Sequence, residues 1–96
     1  IAITDGANIN GNIKGKNSAV IVIVASHVDG KVDTSAGSTL AVLRSTVDGK
    51  VTSDGDTYVR ITGSTITGKL EVKSATTCKV SSNTVDGKTD APGCVA

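Results

Sequence analysis

The chain repeats itself every 19 residues, and that period constrains its fold more than any other feature. Ile9-Asn10-Gly11-Asn12-Ile13 returns as Val28-Asp29-Gly30-Lys31-Val32 and again as Val47-Asp48-Gly49-Lys50-Val51. It returns twice more, as Ile66-Thr67-Gly68-Lys69-Leu70 and Val85-Asp86-Gly87-Lys88-Thr89. Gly11, Gly30, Gly49, Gly68 and Gly87 therefore form a column with no insertion or deletion between them. Internal periods of this size mark repeat architectures in which each unit stacks on the next.

Aligning the repeats gives four apolar columns. One is Ile9, Val28, Val47, Ile66, Val85; a second is Ile13, Val32, Val51, Leu70, Thr89. A third, Ala2, Ile21, Leu40, Val59, Cys78, lies two residues before a fourth, Thr4, Ile23, Val42, Ile61, Val80. A spacing of two is strand alternation. A column of small residues, Ala7, Ser26, Ser45, Ser64, Asn83, predicts a tight corner or an inward position with little room. The pattern predicts an all-β fold, a parallel β-helix of about five 19-residue coils spanning residues 1–96 as one domain, with its handedness open.

Composition fits that object. Val, Ile and Thr supply 34 of 96 residues, Leu occurs three times, Glu once, and Phe, Trp and Met never. A helical bundle is excluded by that usage. Stacked ladders of Val and Ile explain how a chain whose only aromatic is Tyr58 builds a core. The competing reading is an antiparallel meander, since Asp-Gly between β-branched residues is a strong hairpin signal. Hairpins, however, do not require one fixed period or matching residues in every column.

The balance of ten Lys and Arg against nine Asp and Glu offers no nucleic-acid footprint. The longest apolar run, Ala19–Ala25, is too short to span a bilayer. Residue 1 is Ile rather than Met, which predicts a processed mature chain or an excised fragment. Cys78 and Cys94 are expected to pair as a disulfide, which points to an oxidising compartment and a secreted or cell-surface protein.

No catalytic, cofactor-binding or metal-ligating set emerges from the spacing. The only histidine, His27, lies near Ser26 and Asp29, but sequence proximity does not make a triad. One His and two Cys assemble no metal-site spacing, and the glycines form no phosphate loop. The Asp column (Asp29, Asp48, Asp86) and the Lys column (Lys31, Lys50, Lys69, Lys88) are expected to relieve each other in a surface ion-pair ladder.

Two features ask for a partner. Val20-Ile21-Val22-Ile23-Val24 is apolar on both faces. With Ile21 and Ile23 inward, Val20, Val22 and Val24 point outward, joined in the same columns by Ile1 and Ile3 one coil earlier and Leu43 one coil later. Such a patch marks an interface, here expected to be self-association. Residue 96 also lies five steps of 19 after residue 1, so chains stacked head to tail would continue the coil. Pro92 and a Cys78–Cys94 bridge would partly cap the last coil.

The V-x-G-x-V element at Ile9–Ile13, Val28–Val32, Val47–Val51 and Ile66–Leu70, degraded at Val85–Thr89, resembles the repeats of bactofilins. The resemblance implies polymer-forming β-helices that assemble head to tail without nucleotide. The leading functional expectation is accordingly a structural, non-enzymatic solenoid that associates with itself in an extracellular filament or surface fibre. One alternative is an ice-binding solenoid, although Thr46, Thr65 and Thr84 make only one column and Thr65-Ile66-Thr67 is the sole T-x-T there. The other is a fragment of an adhesin, phage spike or solenoid carbohydrate enzyme; long loops to build a groove are missing.

Overall fold

The computed structural model describes residues 2–4, 6–91 and 94, which wind as a parallel β-solenoid of about five coils. Each coil contributes three strands. The first sheet holds β1 (Ala2–Ile3), β4 (Val20–Val24), β7 (Thr39–Leu43), β10 (Tyr58–Thr62) and β13 (Thr77–Ser81), in that spatial order. The second holds β2 (Asn8–Ile9), β5 (His27–Val28), β8 (Thr46–Val47), β11 (Thr65–Ile66) and β14 (Thr84–Val85). The third holds β3 (Ile13–Gly15), β6 (Val32–Ser35), β9 (Val51–Asp54), β12 (Leu70–Lys73) and β15 (Thr89–Asp90). Every strand pair is parallel, so Asp29-Gly30, Asp48-Gly49 and Asp86-Gly87 turn corners between the second and third sheets and close no hairpin.

The three corners are built by different backbone devices. Between the first and second sheets, Gly6, Ala25, Arg44, Gly63 and Ser82 all adopt positive φ, from 48° to 77°. Between the third sheet and the next coil, Asn17, Ala36, Gly55 and Ser74 do the same. A left-handed residue at a fixed place in each coil reverses the chain without an extra loop. Most of these positions are not glycine, so the corners carry strain of about 1–2 kcal/mol at each such residue. The repeat glycines serve the remaining corner by close approach. The Gly49 amide donates to the Gly30 carbonyl at 2.9 Å, and the Gly68 amide to the Gly49 carbonyl at 3.0 Å. A Cβ on Gly49 or Gly68 would stand 2.6 Å from the carbonyl oxygen below it.

The interior is aliphatic. Ile21, Ile23, Val28, Val32, Leu40, Val42, Val47, Val51, Val59, Ile61, Ile66 and Leu70 are wholly buried. Full burial of such a side chain is worth about 1.5–3 kcal/mol. No coil could achieve it alone, so the ladders couple each coil to its neighbours.

The first coil departs from the 19-residue step. Ala2 pairs with Val22 and Ile3 with Ile23, a shift of one residue relative to all later pairs in that sheet. Ile3 is therefore inward and 9% exposed, whereas Ala2 and Thr4 are exposed. This corrects the expected columns, in which Ala2 and Thr4 face the core and Ile3 faces outward. The register returns to 19 by the Asn8–His27 pair, so the corner through Gly6 and Ala7 takes up the extra residue. The physical reason is burial: the slip exchanges two small side chains for a large aliphatic one in the core. Ile1 lies outside the described residues.

Polar residues also face inward. Ser45 Oγ accepts from the Ser26 amide and Ser64 Oγ from the Ser45 amide, both at 3.2 Å, and Asn83 Oδ1 accepts from the Ser64 amide at 2.9 Å. Ser26, Ser45 and Ser64 hydroxyls in turn donate to carbonyls two residues back, at 2.8, 2.8 and 3.0 Å. The small-residue column is thus a hydrogen-bonded seam along the corner. In the third sheet, Thr34 and Ser53 hydroxyls both donate to Oδ2 of Asp56, which is 1% exposed.

Candidate functional site

The outward face of the first sheet changes character along the axis. At β4 and β7 it presents Val20, Val22, Val24, Ala41 and Leu43, with Thr39 beside Val20 the one polar residue. Val20 is 54% exposed, and Val22, Val24 and Leu43 are half-buried by their neighbours on the same face. At β10 and β13 the same columns carry Tyr58, Arg60 and Thr62, then Thr77, Lys79 and Ser81. Of the residues expected in the self-association patch, the structure places Val20, Val22, Val24 and Leu43 together on this face. Ile3 is withdrawn into the core, and Ala2 takes the place beside Val22. Strands apolar on both faces are characteristic of sheets covered on both sides.

The second sheet presents an in-register threonine ladder, Thr46, Thr65 and Thr84. One coil before it, His27 takes the same column, paired with Thr46 on one side and Asn8 on the other. The imidazole Nε2–H donates to Asp48 Oδ2 at 3.0 Å across the coil boundary. That bond first, and then a hydrogen bond with Asp29, holds the Asp48 carboxyl below its ordinary value of 3.8. One donor atom from each of His27, Asp29 and Asp48 lies within 4.8 Å of the others. Spacing along the chain could not reveal this group, because Asp48 comes from the next coil, 21 residues beyond His27.

The expected Asp–Lys ladder does not form among the described residues. The lysines that find partners do so within the third sheet, where Lys69 and Lys73 flank Glu71 at 2.8 and 3.2 Å. The Asp column sits before the glycine corner and the Lys column after it. Glu71, the chain's only glutamate, is held below its usual range by Lys69 first and Lys73 second.

Cys78 and Cys94 form a disulfide with their Cα atoms 4.6 Å apart. Cys78 is an inward residue of β13, so the bridge lays Cys94 against the last coil of the core. An open depression of about 420 Å³ lies at the corner between the first and second sheets, bordered by Gly6, Ala7, Ala25, His27 and Arg44. No helix long and apolar enough to cross a membrane occurs among the described residues.

The chain matches no family model, no curated protein and no solved structure. The likeness to bactofilins therefore stands on the repeat element alone, and the functional reading rests on the geometry of the faces.

Proposed function

We propose that the protein is a structural, self-associating β-solenoid that serves as a subunit of an extracellular filament or surface fibre. The observation that carries this reading is the apolar outward face of β4 and β7, with Val20 at its most exposed corner. A second copy of the chain is the occupant its shape suits, because a flat sheet face is self-complementary across a two-fold axis. Such an axis through Val22 and Leu43 joins the two apolar halves. It also carries the Arg60 and Lys79 ends of the two faces away from each other. Growth along the solenoid axis uses the rule that already joins the coils, parallel pairing in register. The disulfide supports an oxidising, extracellular setting.

The test is sedimentation velocity and negative-stain electron microscopy of the wild type and of Val22→Thr with Leu43→Thr. Concentration-dependent assembly that the double variant loses is the expected result. A wild type that stays monomeric at millimolar concentration sinks the reading. Ice binding, which draws on the ladder Thr46, Thr65 and Thr84, is separated by thermal hysteresis, a readout that self-association does not produce.

A further inference from the structure

We propose that His27, Asp29 and Asp48 form a binding site for a divalent transition-metal ion on the outer flank of the second sheet, with Zn²⁺ the ion that best suits the donors. The imidazole nitrogen favours zinc and its neighbours over calcium or magnesium, and the two carboxylate oxygens, harder donors, are ligands that zinc also accepts. Three protein donors leave a position open for water or another ligand. The donor atoms lie within 4.8 Å of one another, and His27 Nε2 is already 3.0 Å from Asp48 Oδ2. Two donors on one tetrahedral zinc at about 2.1 Å are about 3.4 Å apart. Side-chain rotation of an ångström or so closes the set.

The backbone that carries these donors is fixed. The amides of His27, Asp29 and Asp48 donate to the carbonyls of Ala7, Ile9 and Val28 at 2.9, 2.8 and 2.9 Å, each across a coil boundary. The solenoid register thus stacks Asp29 under Asp48 and places His27 beside them.

Two further observations distinguish this group from an ordinary charged face. Asp29 and Asp48 are the only acidic residues in adjacent coils of their column, which reads Asn10, Asp29, Asp48, Thr67, Asp86. Like charges at rung spacing repel, and among the described residues no lysine pairs with either one. The chain's single histidine stands at this same place, directly before the threonine ladder. A dication satisfies both carboxylates at once, which one imidazole cannot.

The experiment is isothermal titration of tag-free, disulfide-intact protein with ZnCl₂, together with Co²⁺ absorption spectroscopy. The variants are His27→Thr, which extends the threonine ladder by one rung, and Asp48→Asn. The expected result is one Zn²⁺ per chain with a micromolar Kd, weakened at least tenfold by either substitution. Co²⁺ should give visible bands of low-coordinate geometry that vanish in His27→Thr. Because His27 is the only histidine, a zinc-induced shift of its ring resonances locates the ion without ambiguity. No binding at millimolar Zn²⁺, or binding unchanged in both variants while their thermal unfolding matches the wild type, overturns the proposal.

Discussion

Ile3 lies beside Ile23, twenty residues further along the chain, whereas Ile23 lies beside Val42, nineteen further along. That single-residue difference decides which side of the first strand meets the core. It makes a sharp contrast between neighbouring substitutions. Ile3→Ala should destabilise the protein by about 2 kcal/mol, the low end for a large-to-small core change because its coil is covered on one side only. Ala2→Ser, at an exposed position, should be close to neutral. A uniform 19-residue register requires the opposite ranking, so urea denaturation of the two variants separates the registers.

The serine seam gives a second test. Ser45 Oγ accepts from the Ser26 amide and donates to the Leu43 carbonyl, all in a buried corner. Ser45→Ala leaves the Ser26 amide without its acceptor, which should cost about 1–3 kcal/mol. Ser45→Gly should be no better, since the missing group is the oxygen and not space. Equal stability of Ser45→Ala and the wild type in guanidinium unfolding would remove the seam's structural role.

Much of this fold was legible because a solenoid writes its geometry as a period. The columns Ile9 to Val85 and Ile13 to Leu70 occupy the inward positions assigned to them. The pairing of Cys78 with Cys94 was likewise readable from their number and place. What stayed hidden has a common physical cause. Ile3 was misplaced because a corner absorbed one residue without disturbing the glycine column. Thr34, Ser53 and Asp56 were missed because a buried carboxylate that takes two hydroxyls on Oδ2 and leaves Oδ1 without a partner looks, in sequence, like a polar surface. The grouping of His27 with Asp48 needed the coil-to-coil register before it could be seen.

Glycine should be the better residue at both the glycine corner and the left-handed corners, for different reasons. Gly49→Ala sets a methyl 2.6 Å from the Gly30 oxygen and 2.9 Å from its carbon, backbone atoms that are themselves hydrogen-bonded. A loss of about 3 kcal/mol is expected, the upper range of overpacking costs. Ala36→Gly relieves a φ of 60° at an exposed alanine and should gain up to about 1 kcal/mol. Thermal melts of both variants check the pair of signs.

Glu71 makes stability depend on pH in a defined window. Its two lysine partners lower its folded-state pKa below the ordinary 4.5. A carboxyl lowered on folding stabilises the fold above its unfolded pKa, and that contribution fades as pH falls through the folded value. Lys69 is raised above 10.5 by the same contact, so its share is present below that value and fades as pH rises through the folded one. Glu71→Gln should therefore be slightly less stable than the wild type at neutral pH. The gap should close as pH falls below the folded-state value and narrow again in strong alkali. A gap independent of pH across urea titrations would mean that Glu71 acts through packing and not through charge.

The disulfide offers the largest single effect on the last coil. Cys78 belongs to the buried ladder of the first sheet, and Cys94 reaches it after 16 residues, a shorter step than the coil period. Closing a loop of this length restricts the unfolded chain by about 3 kcal/mol. Reductant should lower the stability of the wild type by roughly that amount, whereas Cys78→Ala with Cys94→Ala should be insensitive to it. The loss should also be local. Hydrogen exchange should accelerate first in β13, β14 and β15, where Val80 and Val85 are only half-buried and Thr89 and Asp90 are exposed. Meanwhile β4 to β9, buried between neighbouring coils, should keep their protection. Uniform acceleration throughout the chain would instead show that the coils unfold as one unit and that the bridge stabilises all of them together.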